Sequence, residues 1–158
     1  MCVIALLFTY LYMHGYRINL SSSLPYWIFK VHDASDKLIS RGDFVIIDYS
    51  LITDNHAIKA AIDRKYLGQR PMGKQIGAVP GDLVVLRDSR IYINEEDKGC
   101  MKILSEDSLG NPLYPFPTPV TLQYGQYWLI SNPERGFDSR YFGFVHRSCI
   151  VYLAYPVL

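Results

Sequence analysis

The chain has 158 residues, enough for one domain with a sizeable core. Its 16 basic residues nearly balance 15 acidic ones, which excludes a dedicated nucleic-acid binder, since that class needs a basic surplus. An aromatic content of 14% with 13 Tyr, nine Pro and eleven Gly favours short strands and turns over a helix bundle.

The first thirteen residues, MCVIALLFTYLYM, carry no charge. Read as helix through Tyr16 they reach about 24 Å, short of the roughly 30 Å of a hydrocarbon core. No Lys or Arg precedes the run, and no clear small-x-small site marks a removable leader. Three readings stand: a short membrane anchor, an anchor begun by residues upstream of Met1, or a buried core segment. The polar HGYRIN that follows reads as an exit into water and favours an anchor over residues 1–16, with residues 17–158 as one domain.

SSSLP then reads as a turn, and YWIFKV as a strand from its β-branched and aromatic residues. After the polar SDKLISRGD comes a short buried strand, FVIIDY (Phe44 to Tyr49). NHAIKAAIDRKYL has helical spacing, with Ala57, Ala60, Ala61 and Arg64 on neighbouring turns. GQRPMG breaks the chain, and KQIGAV runs into a Pro-Gly-Asp turn. LVVL and IYIN flank RDSR, a hairpin signal. From Glu95 to Pro119 the chain reads as an irregular, proline-rich surface loop. QYWLI and CIVYLAY close it as strands. The expected fold is mostly antiparallel β, with one short helix besides the N-terminal apolar one.

Cys2, Cys100 and Cys149 form no C-x-x-C pair, and no His stands at ligand spacing from them, so neither a zinc site nor any other metal or cofactor is expected. In an oxidising compartment Cys100 and Cys149 could pair; otherwise all three serve as small hydrophobes. A serine nucleophile needs a base, and none of His14, His32, His56 and His146 lies in a motif. A lysine can serve if desolvation brings its pKa from about 10.4 towards 7–8. Such a lysine must sit among apolar residues, away from carboxylates. Lys74, between PMG and the uncharged QIGAVPG, meets that condition, although most lysines are solvent-exposed.

Three segments in combination raise its standing. INLSSSLP, KQIGAVPGD and FDSRYFG together resemble the Ser/Lys signal peptidases, and more closely their TraF-like conjugal-transfer branch. That branch carries Asn-x-Thr/Ser-x-Ser-x-Pro, here Asn19 to Pro25, whereas ordinary signal peptidases space Ser and Pro one residue further apart. RGDFVII resembles the family's Gly-Asp-x-Val strand, and Lys74 stands eight positions before Asp82, as in the family's lysine box. The stretch from Gly125 to Val145 is the longest similarity, and DSLGNPLYP is similar to a Gly-x-Pro-Leu stretch of the conjugal branch. Departures are Trp27 where Gly is frequent, Gln75 where a basic residue is common, and Gly136 where ordinary signal peptidases place a serine that helps hold the lysine.

The resemblance implies Ser23 as nucleophile and Lys74 as base. In an extended segment residues two apart share a face, so Ser21 and Ser23 point one way and Ser22 the other. That suits the role the resemblance implies for Ser21, an oxyanion donor acting with the Ser23 N–H. Asp138 and Arg140, read as a strand pair on one face, are expected to support the site through an ion pair; the resemblance also implies a use of this Asp for activity. Pro80, Gly81 and Asp82 are expected to form the turn that orients the lysine strand, Gly81 supplying a φ costly for other residues.

The implied activity is that of a membrane-anchored serine endopeptidase without a cofactor, its catalytic domain on the outer, periplasmic side of the cytoplasmic membrane. The implied partners are the membrane and a pilin-type or secreted protein precursor, cut as an extended strand; no nucleic acid is expected. One alternative is a general signal peptidase I. Another is a non-catalytic β module that binds an extended peptide at a strand edge, which leaves the joint presence of the serine and lysine boxes as coincidence.

Overall fold

The computed structural model of the chain describes residues 2–20, 24–52, 56–63 and 71–158. The first elements are helix α1 (Cys2–Met13) and strands β1 (Tyr16–Ile18), β2 (Ile28–Asp33) and β3 (Phe44–Ile47). Helix α2 (His56–Asp63) precedes β4 (Met72–Ala78), β5 (Leu83–Arg87), β6 (Arg90–Ile93), β7 (Glu96–Cys100) and β8 (Val120–Thr121). Strand β9 (Gln126–Ile130), helix α3 (Ser139–Phe142), β10 (Val145–His146) and β11 (Ile150–Pro156) complete the chain. The mostly β, antiparallel architecture is therefore as expected, with the four-residue α3 as an addition.

Seven strands form one sheet in the order β1-β2-β11-β3-β4-β9-β10, and four form a second in the order β7-β6-β5-β8. Strand β4 lies inside the larger sheet, antiparallel to β3 on one side and β9 on the other. One apolar cluster joins Val45, Ile47, Ile76, Leu129 and Phe142 to Ile58 and Ala61 of α2. A second links the sheets through Ala78, Val84, Ile91, Ile93, Leu122 and Trp128. A third, smaller one packs Leu24 with Phe29, Val31 and Ala154.

Strand β7 falls inside the stretch from Glu95 to Pro119 that was expected to be irregular, and β8 begins just past it. Asn94 and Glu95 both take positive φ, 52° and 69°, the paired left-handed geometry of a two-residue hairpin turn. That turn sends β7 back along β6 in the same way as Asp88 and Ser89 (φ 52° and 55°) send β6 along β5. Strand β8 adds two residues to the other edge of β5. The expected strand through Tyr49 stops at Ile47, because the Asp48 carboxylate accepts from Ser50 N at 2.9 Å and caps a 3-10 turn over Tyr49–Leu51. The expected helical residue Arg64 lies outside the described residues.

Among the described side chains of helix α1, from Ile4 on, none is buried as a core helix would bury it. Ile4, Leu6, Leu7, Phe8, Tyr10, Tyr12 and Met13 are all exposed, which removes the buried-core reading of this segment. Its 12 residues rise about 18 Å, and no helix among the described residues is long and apolar enough to cross a membrane. Cys100 is exposed and Cys149 buried, and both are free thiols; the side chain of Cys2 lies outside the description.

Candidate active site

Strand β4 alternates in burial, and Lys74, Ile76 and Ala78 take its buried positions. Lys74 therefore occupies a core place, 4% exposed, opposite the fully buried Val45 of β3. Among the described residues no ion pair or hydrogen bond engages its ammonium. Burial lowers its pKa from 10.5 to about 8; the Asp138 carboxylate offsets part of this fall, and the Arg140 guanidinium adds to it. A lysine so placed is a substantial fraction neutral at mildly alkaline pH and can accept a proton.

Asp138 and Arg140 are not on a strand. Asp138 is the N-cap of α3, and its carboxylate accepts from Arg140 N at 3.1 Å. An Asp before a short helix satisfies one of the amides that no turn precedes, and this capping is why the chain turns here instead of extending. Both side chains are fully buried and paired, Arg140 Nε to Asp138 Oδ1 at 2.8 Å and Nη2 to Oδ2 at 2.9 Å. The remaining guanidinium donors reach backbone carbonyls: Nη1 those of Lys102 and Pro133 at 2.7 Å each, Nη2 those of Asn132 at 2.9 Å and Gly136 at 2.8 Å. One side chain thus ties the turn after β9 to the loop after β7.

Asp138 Oδ2 also accepts from the backbone N of Ser131 at 2.9 Å and from its hydroxyl at 2.8 Å. Ser131 carried no signal in the sequence, because its partners become visible only once β9 is paired. Gly136 lies against it: a Cβ there would stand 2.1 Å from Ser131 Oγ and 2.6 Å from the Asn132 carbonyl oxygen. The place where ordinary signal peptidases carry a serine is closed to any side chain here. Ser139 anchors the same turn, its hydroxyl accepting from Leu129 N at 2.8 Å.

Ser21, Ser22 and Ser23 lie outside the described residues; the residues on either side, up to Leu20 and from Leu24 on, are described. Asn19 donates from Nδ2 to the carbonyls of Leu24 at 3.3 Å and Tyr26 at 2.9 Å, and its N–H meets Trp27 O at 2.8 Å. These bonds tie Asn19 to Leu24, Tyr26 and Trp27. Leu24 is buried, and its Cδ1 stands 3.0 Å from where a Gly73 Cβ would lie. The residue after Ser23 thus packs on the residue before Lys74. By the burial pattern of the strand, Gly73 presents the face of β4 opposite to Lys74.

The Pro80-Gly81-Asp82 segment is a turn, with Gly81 at φ 93°. Asp82 receives Arg41 in an ion pair, Val79 N at 2.8 Å and Asn94 Nδ2 at 3.0 Å. Burial pushes its carboxyl up, but these donors outweigh burial and hold the pKa below the usual carboxylate value. The RGD and PGD boxes are thereby joined at one carboxylate, and Arg41 is a partner that sequence spacing did not single out. Gln75 donates to Gly42 O at 3.0 Å. Trp27 is 67% exposed, its N–H bonded to the Leu158 carbonyl at 2.8 Å.

The described part of the site is thus a β domain that holds one amine on its core face, under the influence of a buried Asp–Arg pair. The family described as "Signal peptidase, peptidase S26" matches residues 1–155, and the chain belongs to that family. It is 30% identical over 150 residues to the conjugal transfer protein TraF of Agrobacterium fabrum, spanning 90% of this chain and 82% of that protein. To the plasmid transfer protein TraF of Escherichia coli it is 28% identical over 162 residues, spanning 93% and 85%. A crystal structure of a signal peptidase I from Enterococcus faecalis aligns over 73% of this chain and 96% of that one, at 22% identity and a TM-score of 0.44.

Proposed function

We propose that the chain is a membrane-associated serine endopeptidase in which Ser23 is the nucleophile and Lys74 the general base. The observation that carries this reading is Lys74 itself, a lysine on the core face of β4 whose burial lowers its pKa to about 8. The contact of Leu24 with Gly73 supports the pairing, since it joins the two segments at the positions next to both groups. Neutral Nζ takes the Ser23 hydroxyl proton as Oγ attacks the scissile carbonyl. The Ser21 hydroxyl and Ser23 N–H hold the oxyanion, each donor being worth about 10²–10³ in rate. Collapse breaks the C–N bond, Lys74 returns the proton to the leaving amine, and a water activated by Lys74 then hydrolyses the ester.

Relatives named for conjugal and plasmid transfer point to a protein precursor of that machinery, a pilin-type or secreted chain. The exposed apolar α1 (Cys2–Met13), within the expected anchor of residues 1–16, supports association with the cytoplasmic membrane, residues 17–158 forming the catalytic domain on its outer side. The decisive experiment compares cleavage of a conjugal pilin precursor with that of a generic secretory preprotein across pH. Expected are preference for the pilin precursor, a kcat/KM that rises through an apparent pKa near 8, insensitivity to thiol reagents, and no activity in Ser23→Ala or Lys74→Ala. Near-normal cleavage by Lys74→Ala would end the dyad reading. Preference for the secretory preprotein would favour a general signal peptidase, and no cleavage of either substrate a binding module.

A second expected result concerns the contact between the segments. Gly73→Val puts atoms into the space of Leu24 Cδ1 and displaces the residue that follows Ser23. At least a tenfold loss of kcat is expected, and partial recovery in the double variant Gly73→Val with Leu24→Ala. Steady-state kinetics on the two proteins checks it; full activity in the single variant would show that the contact does not place the serine.

A further inference from the structure

We propose that the junction of α1 with the β1–β2 ribbon is a binding surface for anionic phospholipid, where Arg17, Lys30 and His14 meet lipid phosphates while α1 enters the apolar layer. The first observation is where the cations stand. Helix α1 carries no charge, and its Ile4, Leu6, Leu7 and Phe8 are exposed. The first basic residues after it are His14 and Arg17, and the pairing of Tyr16 with Lys30 brings another from β2 to the same level. Each is braced by a tyrosine. Arg17 Cζ lies 3.9 Å from the Tyr12 ring centroid and Lys30 Nζ 5.6 Å from that of Tyr16, while the His14 and Tyr10 rings stand 4.0 Å apart. Tyrosines and long cationic side chains are the groups that settle at the headgroup level of a bilayer.

The second observation is unspent charge. Among the described residues no carboxylate pairs with Arg17, Lys30 or His14. Arg17 Nη1 donates to the Tyr12 and Tyr16 carbonyls at 2.8 and 2.9 Å, which leaves the Nε and Nη2 donors for a ligand. Asp33 of β2 stands on the strand face opposite to Lys30, and its carboxylate accepts from Ser35 N at 2.9 Å. The third is a fixed junction. Val31 N donates to Gly15 O at 2.9 Å, and Gly15 turns the chain at φ 85°, where a Cβ would stand 2.9 Å from Val31 O. Helix and ribbon therefore meet at a set angle, and the cations hold a set place at the base of the apolar helix. That adjoining apolar surface selects a lipid over a soluble anion, because one ligand must offer phosphate to the cations and acyl chains to α1.

This inference rests on the membrane association proposed above, and the test separates the two. Co-flotation of the full chain is measured with vesicles of phosphatidylcholine alone and with vesicles holding about one third phosphatidylglycerol. Expected is binding to both, tighter on the anionic vesicles by about 25-fold or more. Arg17→Gln and Lys30→Gln each weaken binding to the anionic vesicles about fivefold, and the double variant about 25-fold, with no change on phosphatidylcholine. Salt at about 0.5 M removes the difference, and inorganic phosphate displaces no more protein than sodium chloride of equal ionic strength. Because Arg17 also holds carbonyls of the junction, Arg17→Lys, which keeps the charge, is expected to bind as the native chain. Lys30 makes no hydrogen bond from its side chain among the described residues, so Lys30→Gln tests charge without disturbing the junction. Equal affinity for the two vesicle types, or unchanged affinity in the double variant, overturns the headgroup surface and leaves membrane association standing. Displacement by inorganic phosphate alone assigns the cations to a soluble anion and overturns the lipid. Flotation with neither vesicle overturns membrane association, and this inference with it.

Discussion

Lys74→Met is expected to abolish cleavage, by about 10³-fold or more, while making the protein more stable at neutral pH. The lysine is 4% exposed on an apolar face, and the fall of its pKa from 10.5 to about 8 measures how poorly its charge is solvated there. At 1.36 kcal/mol per pH unit the penalty on the charged form is about 3 kcal/mol. The sign follows from proton counting. Between about pH 8 and 10.5 the folded state binds fewer protons at this site than the unfolded chain, so its contribution to stability rises with pH. Below pH 8 the full penalty is present; above 10.5 it is gone. Thermal melts of the native and Met proteins should therefore differ most below pH 8 and converge towards pH 10.5. A Met variant that is less stable at pH 7 would show that Lys74 is not held under strain in the core.

Arg140→Leu should have the largest effect on the fold, a loss of about 3–5 kcal/mol. It leaves the Asp138 carboxylate buried without its countercharge and strips donors from the carbonyls of Lys102, Asn132, Pro133 and Gly136. Removing one partner of a buried pair is costly because the other stays behind desolvated. The melting temperature should drop by about 10 °C or more. Arg140→Lys should recover little, since one ammonium cannot reproduce a planar fork of five donors. Arg90→Leu is the control: its 2.7 Å pair with Asp97 is partly open to solvent on both sides, and exposed pairs contribute about 0–1 kcal/mol. Equal losses in Arg140→Leu and Arg90→Leu would remove the argument that burial decides.

Strands with consecutive β-branched residues were legible in the sequence, as with FVII in β3 and the LVVL and RIYI hairpin. Lys74 was singled out by the uncharged strand that follows it together with the serine and late boxes, and burial of that strand's alternate positions places it in the core. Other features had no local signal. Strand β7, EDKGC, has no apolar alternation, and only the left-handed pair Asn94-Glu95 before it directs the chain back. Helix α3 has four residues, too few for a period, and owes its existence to one carboxylate cap. The Asp-x-Arg spacing suggested a shared face on a strand, whereas the helical turn brings the same two groups together by a different geometry. Ser131 and Arg41 depend on partners brought near by sheet pairing and turns, a kind of information that periodicity does not carry.

The closed space at Gly136 has a consequence for how this site can drift. Position 131 can keep its hydroxyl only while position 136 keeps a bare backbone, because the two would fill the same volume. Substitutions at the two places are therefore not independent, and a double-mutant cycle between them should depart strongly from additivity. A chain that moves its hydroxyl from one position to the other must first empty the receiving space and also ease the turn at Asn132. Judged one column at a time, Gly136 reads as a lost serine; judged as a pair, positions 131 and 136 hold one hydroxyl between them.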